Sequence, residues 1–142
     1  HPFYPEDRVC HLYLLHPPAG IVGGDLLELS ITARENGAVL TTTPGATKFY
    51  RTDQRLAEQH QHFNVEAGST MEWLPQETIF FPEANGVLST TVNLEKDAQY
   101  LGWEINCFGL PANNRDLGDG RAGIRFALYR EKKLVLVESL IV

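Results

Sequence analysis

The spacing of apolar residues constrains this chain more than any other feature, because its period is two and not 3.6. Leu27, Leu29 and Ile31 alternate with Glu28, Ser30 and Thr32. Phe63 and Val65 alternate with Asn64 and Glu66, and Leu88, Thr90, Val92 and Leu94 alternate with Ser89, Thr91 and Asn93. Successive side chains of a strand point to opposite faces, so this pattern predicts strands with one face turned inward. Turn signals separate the runs: Asn36-Gly37, Ala67-Gly68, Asn85-Gly86 and the glycine cluster Gly118–Gly123. Asn36-Gly37 reads as a hairpin turn between two strands. The one helical candidate is Gln54–His62; it lacks a clear apolar stripe, so an exposed strand or a loop fits equally well. Many short strands with regular turns make an all-β fold, and the residues alone suggest a β-sandwich or a barrel. No internal sequence repeat is strong enough to argue a repeat architecture.

The chain has 142 residues, of which 43% are apolar, enough for the core of a single domain over 1–142. Its formal charge of −6 argues against nucleic acid or an anionic membrane as partner. No apolar run approaches the ~20 residues needed to span a membrane as a helix. Of the two cysteines, Cys10 and Cys107, the sequence allows either one disulfide or two reduced thiols. The chain lacks an initiator Met and stops within the strand-like run Leu134–Val142, so it reads as a fragment of a longer protein.

Leu15–Asp25, LHPPAGIVGGD, places two prolines and three glycines ahead of an acid and specifies a shaped loop. It is neither G-x-G-x-x-G nor a P-loop, since the lysine is missing. Asp25 is therefore either a polar or ion contact at that loop or a residue capping its own turn. Glu104, between Trp103 and Ile105, is either solvated on an outer face or buried with partners, because burying it unpaired costs several kcal/mol. Glu138, in LVLVESLIV, is the most anomalous charge in the chain; it either takes part in function or guards a sheet edge. His60 and His62 share a face if their segment is a strand, which would allow a bidentate surface metal site, although solvated residues are the more ordinary outcome. No histidine or cysteine spacing matches a zinc site. Trp73–Phe81 reads as core before partner surface. Lys48, Tyr50 and Arg51 form the one compact basic–aromatic cluster.

Five blocks in order and spacing resemble the UreD (UreH) family of urease accessory proteins: HPFYPED at His1–Asp7, CHLYLLHPPAGIVGGD at Cys10–Asp25, TTTPGATKFYR at Thr41–Arg51, MEWLPQETIFFPEAN at Met71–Asn85 and GWEINCFGLP at Gly102–Pro111. The resemblance implies an elongated, β-helix-like stack of short strands in place of the sandwich. It implies a non-enzymatic, cytoplasmic scaffold that acts with UreF and the GTPase UreG on urease apoprotein, with scope for a dimer of such complexes. Ni²⁺ would be its cargo in transit. On the same resemblance, Asp25, Glu104 and Glu138 are expected as weak ligands of an internal polar passage, with Thr47, Gly23 and Gly24 lining or shaping it. Scattered oxygens suit transit, since imidazole and thiolate cages hold Ni²⁺ tightly. Two other functions remain open on the residues: a plain β-rich binding module, and a carboxylate hydrolase with Glu104 and Glu138 as acid and base. The hydrolase would need its carboxyl groups about 5–9.5 Å apart at a cleft.

Overall fold

The computed structural model describes residues 2–6, 8–16 and 20–142. Strands β1 (Phe3–Glu6) and β2 (Val9–Tyr13) open the chain, and β3 (Leu26–Ala33) follows the glycine-rich loop. A second circuit holds β4 (Ala38–Thr42), β5 (Thr47–Phe49) and β6 (Ala57–Val65). A third holds β7 (Thr70–Trp73), β8 (Thr78–Phe80) and β9 (Asn85–Leu94). The last holds β10 (Gln99–Gly102), β11 (Asn106–Phe108) and β12 (Arg121–Arg130), after which β13 (Lys133–Ile141) folds back on β12. A single 3₁₀ turn, Pro111–Asn113, is the only helical element among the described residues.

Each circuit lays its strands beside those of the one before. β2, β4, β7 and β10 pair in parallel; so do β5, β8 and β11, and β3, β6, β9 and β12. Among the strands of the described residues, only β1 on β2 and β13 on β12 are antiparallel. The result is a β-solenoid of about three turns. The stacked form implied by the family resemblance is the one observed, and the sandwich alternative is not.

Parallel stacking places like positions on top of one another, so each inward row becomes a ladder. Phe49, Phe80 and Phe108 form one: the Phe49 and Phe80 rings lie 4.6 Å apart and 8° from parallel, and Phe80 and Phe108 lie 5.7 Å apart at 21°. These rings centre one core with Ile21, Leu88 and Ala122. The other core gathers Val39, Phe63, Met71, Trp73 and Val92. The block Trp73–Phe81 therefore contributes Trp73 and Phe80 to the cores.

Two local expectations need correction, and one open reading is decided in favour of a strand. Asn36-Gly37 is no hairpin turn: it joins β3 to β4, which lie in different sheets, and so turns a corner of the solenoid. Asn85-Gly86 is no turn either. It opens β9, and a side chain at Gly86 would lie 2.7 Å from the Phe49 ring and 3.0 Å from Phe80, so the glycine makes room for the aromatic ladder. The helical candidate at 54–62 is mostly strand β6, whose Ala57, Gln59, Gln61, Phe63 and Val65 all point inward. Tertiary pairing with β3 and β9 overrides its helix-forming composition.

Candidate functional site

Glu104 lies in the short link between β10 and β11. Backbone pairing fixes which way it points. The Trp103 N–H donates to the Trp73 carbonyl at 3.3 Å, and the Ile105 carbonyl accepts from Thr78 N–H at 2.8 Å. The Trp103 indole also donates to the Pro75 carbonyl at 3.1 Å. Trp103 and Ile105 are thereby turned outward, 47% and 57% exposed, and the carboxylate between them turns inward. Of the two alternatives for Glu104, the structure takes the inward one, with the residue half-buried against a hydroxyl partner.

Its partner is Thr90, wholly buried on β9, whose hydroxyl lies against Glu104 Oε1. Thr90 Oγ1 is also 3.2 Å from Gln61 Oε1 on β6, an acceptor. A hydroxyl carries one proton. Thr90 therefore donates to one of the two oxygens at a time and stands as the middle of a relay between Gln61 and Glu104. Burial holds the Glu104 carboxyl above the usual carboxylate range, and the Thr90 hydrogen bond opposes part of that rise. Burial likewise raises the neighbouring Tyr100 phenol, with the Glu104 charge as a second cause.

Glu104 borders two cavities. One, of about 360 Å³, is lined by Thr47, Gln59, Gln61, Trp73 and Leu88 among others. The second, of about 620 Å³, lies under β13 and is lined by Tyr100, Asn106, Phe126 and Glu138. Polar atoms without a protein partner belong to lining residues of both: Gln59 Oε1 and Trp73 Nε1 for the first, Asn106 Oδ1 for the second. Buried polar groups of this kind call for water or a polar guest.

The structure thus brings Thr47 to the first cavity and Glu138 to the second, with Glu104 at both. Glu138 is exposed and sits opposite Phe126 in the β12–β13 pair. Asp25, Gly23 and Gly24 line neither cavity. Asp25 caps its own turn: Oδ2 accepts from Val22 N–H at 3.0 Å. The glycines shape the first corner of the solenoid. A side chain on Gly23 would meet the Thr52 carbonyl at 2.4 Å. Gly24 adopts φ +95° and donates its N–H to the Leu56 carbonyl of the next circuit at 2.8 Å. Sequence reasoning missed Gln59, Gln61 and Thr90. The available signal was Thr90 standing in phase with Leu88 and Val92, a polar residue on an inward face.

Arg51 of the basic–aromatic cluster is tied to Asp53 and Glu83 by exposed ion pairs of 3.0 and 3.1 Å. Cys10 and Cys107 are free thiols, on β2 and β11.

Comparison with known proteins adds the family. The model described as "UreD urease accessory protein" matches residues 1–142. The chain is 50% identical over 139 residues to the urease accessory protein UreD of Alcanivorax borkumensis, an alignment covering 98% of this chain and 47% of the relative. It is 48% identical to that of Aliivibrio fischeri strain MJ11, over 98% of this chain and 48% of the relative. It is 45% identical to that of Escherichia coli, over 99% of this chain and 51% of the relative. The chain spans about half the length of the curated relatives it matches.

Proposed function

The chain belongs to the UreD family of urease accessory proteins, and on that premise we propose that it is part of a non-enzymatic scaffold that works with UreF and the GTPase UreG to load Ni²⁺ into urease apoprotein. The nickel is cargo, and nucleotide hydrolysis by the partner GTPase supplies the drive. The free thiols of Cys10 and Cys107 suit a reducing cytoplasm as the setting.

The observation that carries the passage reading is the inward carboxylate of Glu104, shared by two cavities and held by Thr90. A half-buried acid with one neutral hydroxyl partner leaves lone pairs unused, and a cation or its water shell satisfies them. Oxygen donors spaced along a route attract a divalent ion without caging it. Glu104, Glu138 and Thr47 line that route. Asp25, with Gly23 and Gly24, shapes the corner at which the first circuit begins.

The test is co-purification of the intact protein with UreF and urease apoprotein, comparing the parent with Glu104→Leu and Glu138→Leu, followed by nickel content and urease activity. Normal complexes with low nickel and low activity support the passage. Lost complexes would make the acids structural or interfacial, and full activity would overturn the passage reading.

A further inference from the structure

The outer face of the β3–β6–β9 sheet gathers Glu28, Glu58, His60 and Ser89, of which Glu28 alone also borders the first cavity. His60 faces Glu28 on β3 and Ser89 on β9 in register, with Glu58 two residues earlier on its own strand. His60 Nε2 is 3.2 Å from Glu58 Oε2, and Nδ1 is 2.6 Å from Ser89 Oγ. Both side chains are accessible: His60 is 28% exposed and Glu58 36%.

We infer that Glu58 and His60 form a surface chelate for a divalent transition cation, separate from the cavities at Glu104. The geometry supports this twice. Two ligands at ~2.1 Å from one ion and at right angles to each other stand about 3.0 Å apart, close to the Glu58–His60 separation. A ligating imidazole also needs a partner on its other nitrogen to fix the tautomer, and Ser89 occupies that position.

In the metal-free protein the Nε2–H donates to Glu58, and the Ser89 hydroxyl donates to Nδ1. When the ion binds Nε2, the ring proton moves to Nδ1 and donates to Ser89 Oγ, whose own hydrogen rotates away. No net proton is released if the ring was neutral. Among the described residues no group of three His, Cys, Asp or Glu is set to hold a metal, so water completes the coordination shell and Glu28 stands at the rim as a further carboxylate. A two-ligand site of this kind binds reversibly, and imidazole with carboxylate favours Ni²⁺ over Mg²⁺ or Ca²⁺. Among the described residues His62 has no such carboxylate partner, and it stays outside the chelate.

The probe is Ni²⁺ alone, titrated into the intact protein by calorimetry. His60→Ala should abolish this binding step, and Glu58→Gln and Ser89→Ala should weaken it ~10-fold or more. His62→Ala and Glu104→Leu should leave it in place, so failure here is distinct from failure of the passage. As a second readout on the unmodified protein, Ni²⁺ should protect His60 but not His62 from diethylpyrocarbonate, mapped by mass spectrometry. Unchanged His60 reactivity, or unchanged Ni²⁺ binding in His60→Ala, would overturn the inference.

Discussion

Replacing Thr90 with valine tests the relay that holds Glu104. The two side chains have nearly the same shape, so the substitution removes a hydroxyl and adds a methyl group at a fully buried position. A hydrogen bond to a charged group contributes about 1.5–3 kcal/mol. The added methyl returns at most ~0.8 kcal/mol of burial. The net expectation is a loss of about 1–2 kcal/mol, with Glu104 and Gln61 left unpaired. The assay is urea unfolding of the parent, Thr90→Val, Glu104→Leu and the double variant. At a slope of about 1–3 kcal/mol per molar urea, Thr90→Val should lower the midpoint by roughly 0.3–2 M. Because the two groups touch, their effects should not add: the double variant should be less destabilised than the sum of the singles by at least ~1 kcal/mol. Additive singles, or a neutral Thr90→Val, would mean that Thr90 does not hold the carboxylate.

Three further outcomes follow from the same structure. Burial raises the folded-state pKa of Glu104, so the unfolded chain loses that proton first as pH rises. Stability linked to this group is therefore full below the ordinary carboxylate range, about pH 4, and declines as pH climbs through the folded pKa; Glu104→Gln should flatten that decline in urea midpoints measured from about pH 4 to pH 7. Phe80→Ala removes the middle ring of the aromatic ladder and should cost about 3–5 kcal/mol, read as a thermal midpoint lower than that of any surface variant. Gly23→Ala would drive a methyl group into the Thr52 carbonyl and should destabilise by more than ~1 kcal/mol, whereas Gly45→Ala, in open space, should change the urea midpoint little.

The strand phases were legible because period two survives any arrangement of sheets. Thr90, Phe63 and Val92 could all be placed on an inward face from alternation alone. The stacking was not legible, because what repeats in a solenoid is a role and not a residue. Asn36, Gly68 and Asp97 all take positive φ at successive corners, yet they are three different residue types. Their corners are joined by backbone bonds, from Asn36 N–H to the Ala67 carbonyl at 3.1 Å and from Gly68 N–H to the Lys96 carbonyl at 3.2 Å. A self-comparison of the sequence sees nothing there. Gln59 and Gln61 were hidden for a related reason: their neighbourhood is rich in helix formers, and only pairing with β3 and β9 reveals their phase. The direction of Glu104 could not be read either. Hydropathy favours Trp103 and Ile105 inside, and their own backbone bonds reverse it.

The inward row that crosses the solenoid at this level runs Leu29, Gln61, Thr90, Phe126. Its end members are apolar; the row on one side, Ile31, Phe63, Val92 and Leu128, is apolar throughout, and the row on the other, Leu27, Gln59, Leu88 and Ile124, is apolar but for Gln59. Nothing in the geometry of stacked coils requires a glutamine and a threonine in the middle of one row, or a carboxylate reaching them from the opposite wall. Replacing both partners of a buried polar contact with apolar groups of similar shape is often neutral or stabilising, whereas removing one alone is not. The Thr90→Val, Glu104→Leu double variant should accordingly approach or exceed the stability of the parent. A local rule broken at a cost to stability marks a position kept for function. If the double variant proves as stable as the parent and still supports full urease activation, the polar row is an accident of this fold; if it is stable and fails to deliver nickel, the row exists for transfer.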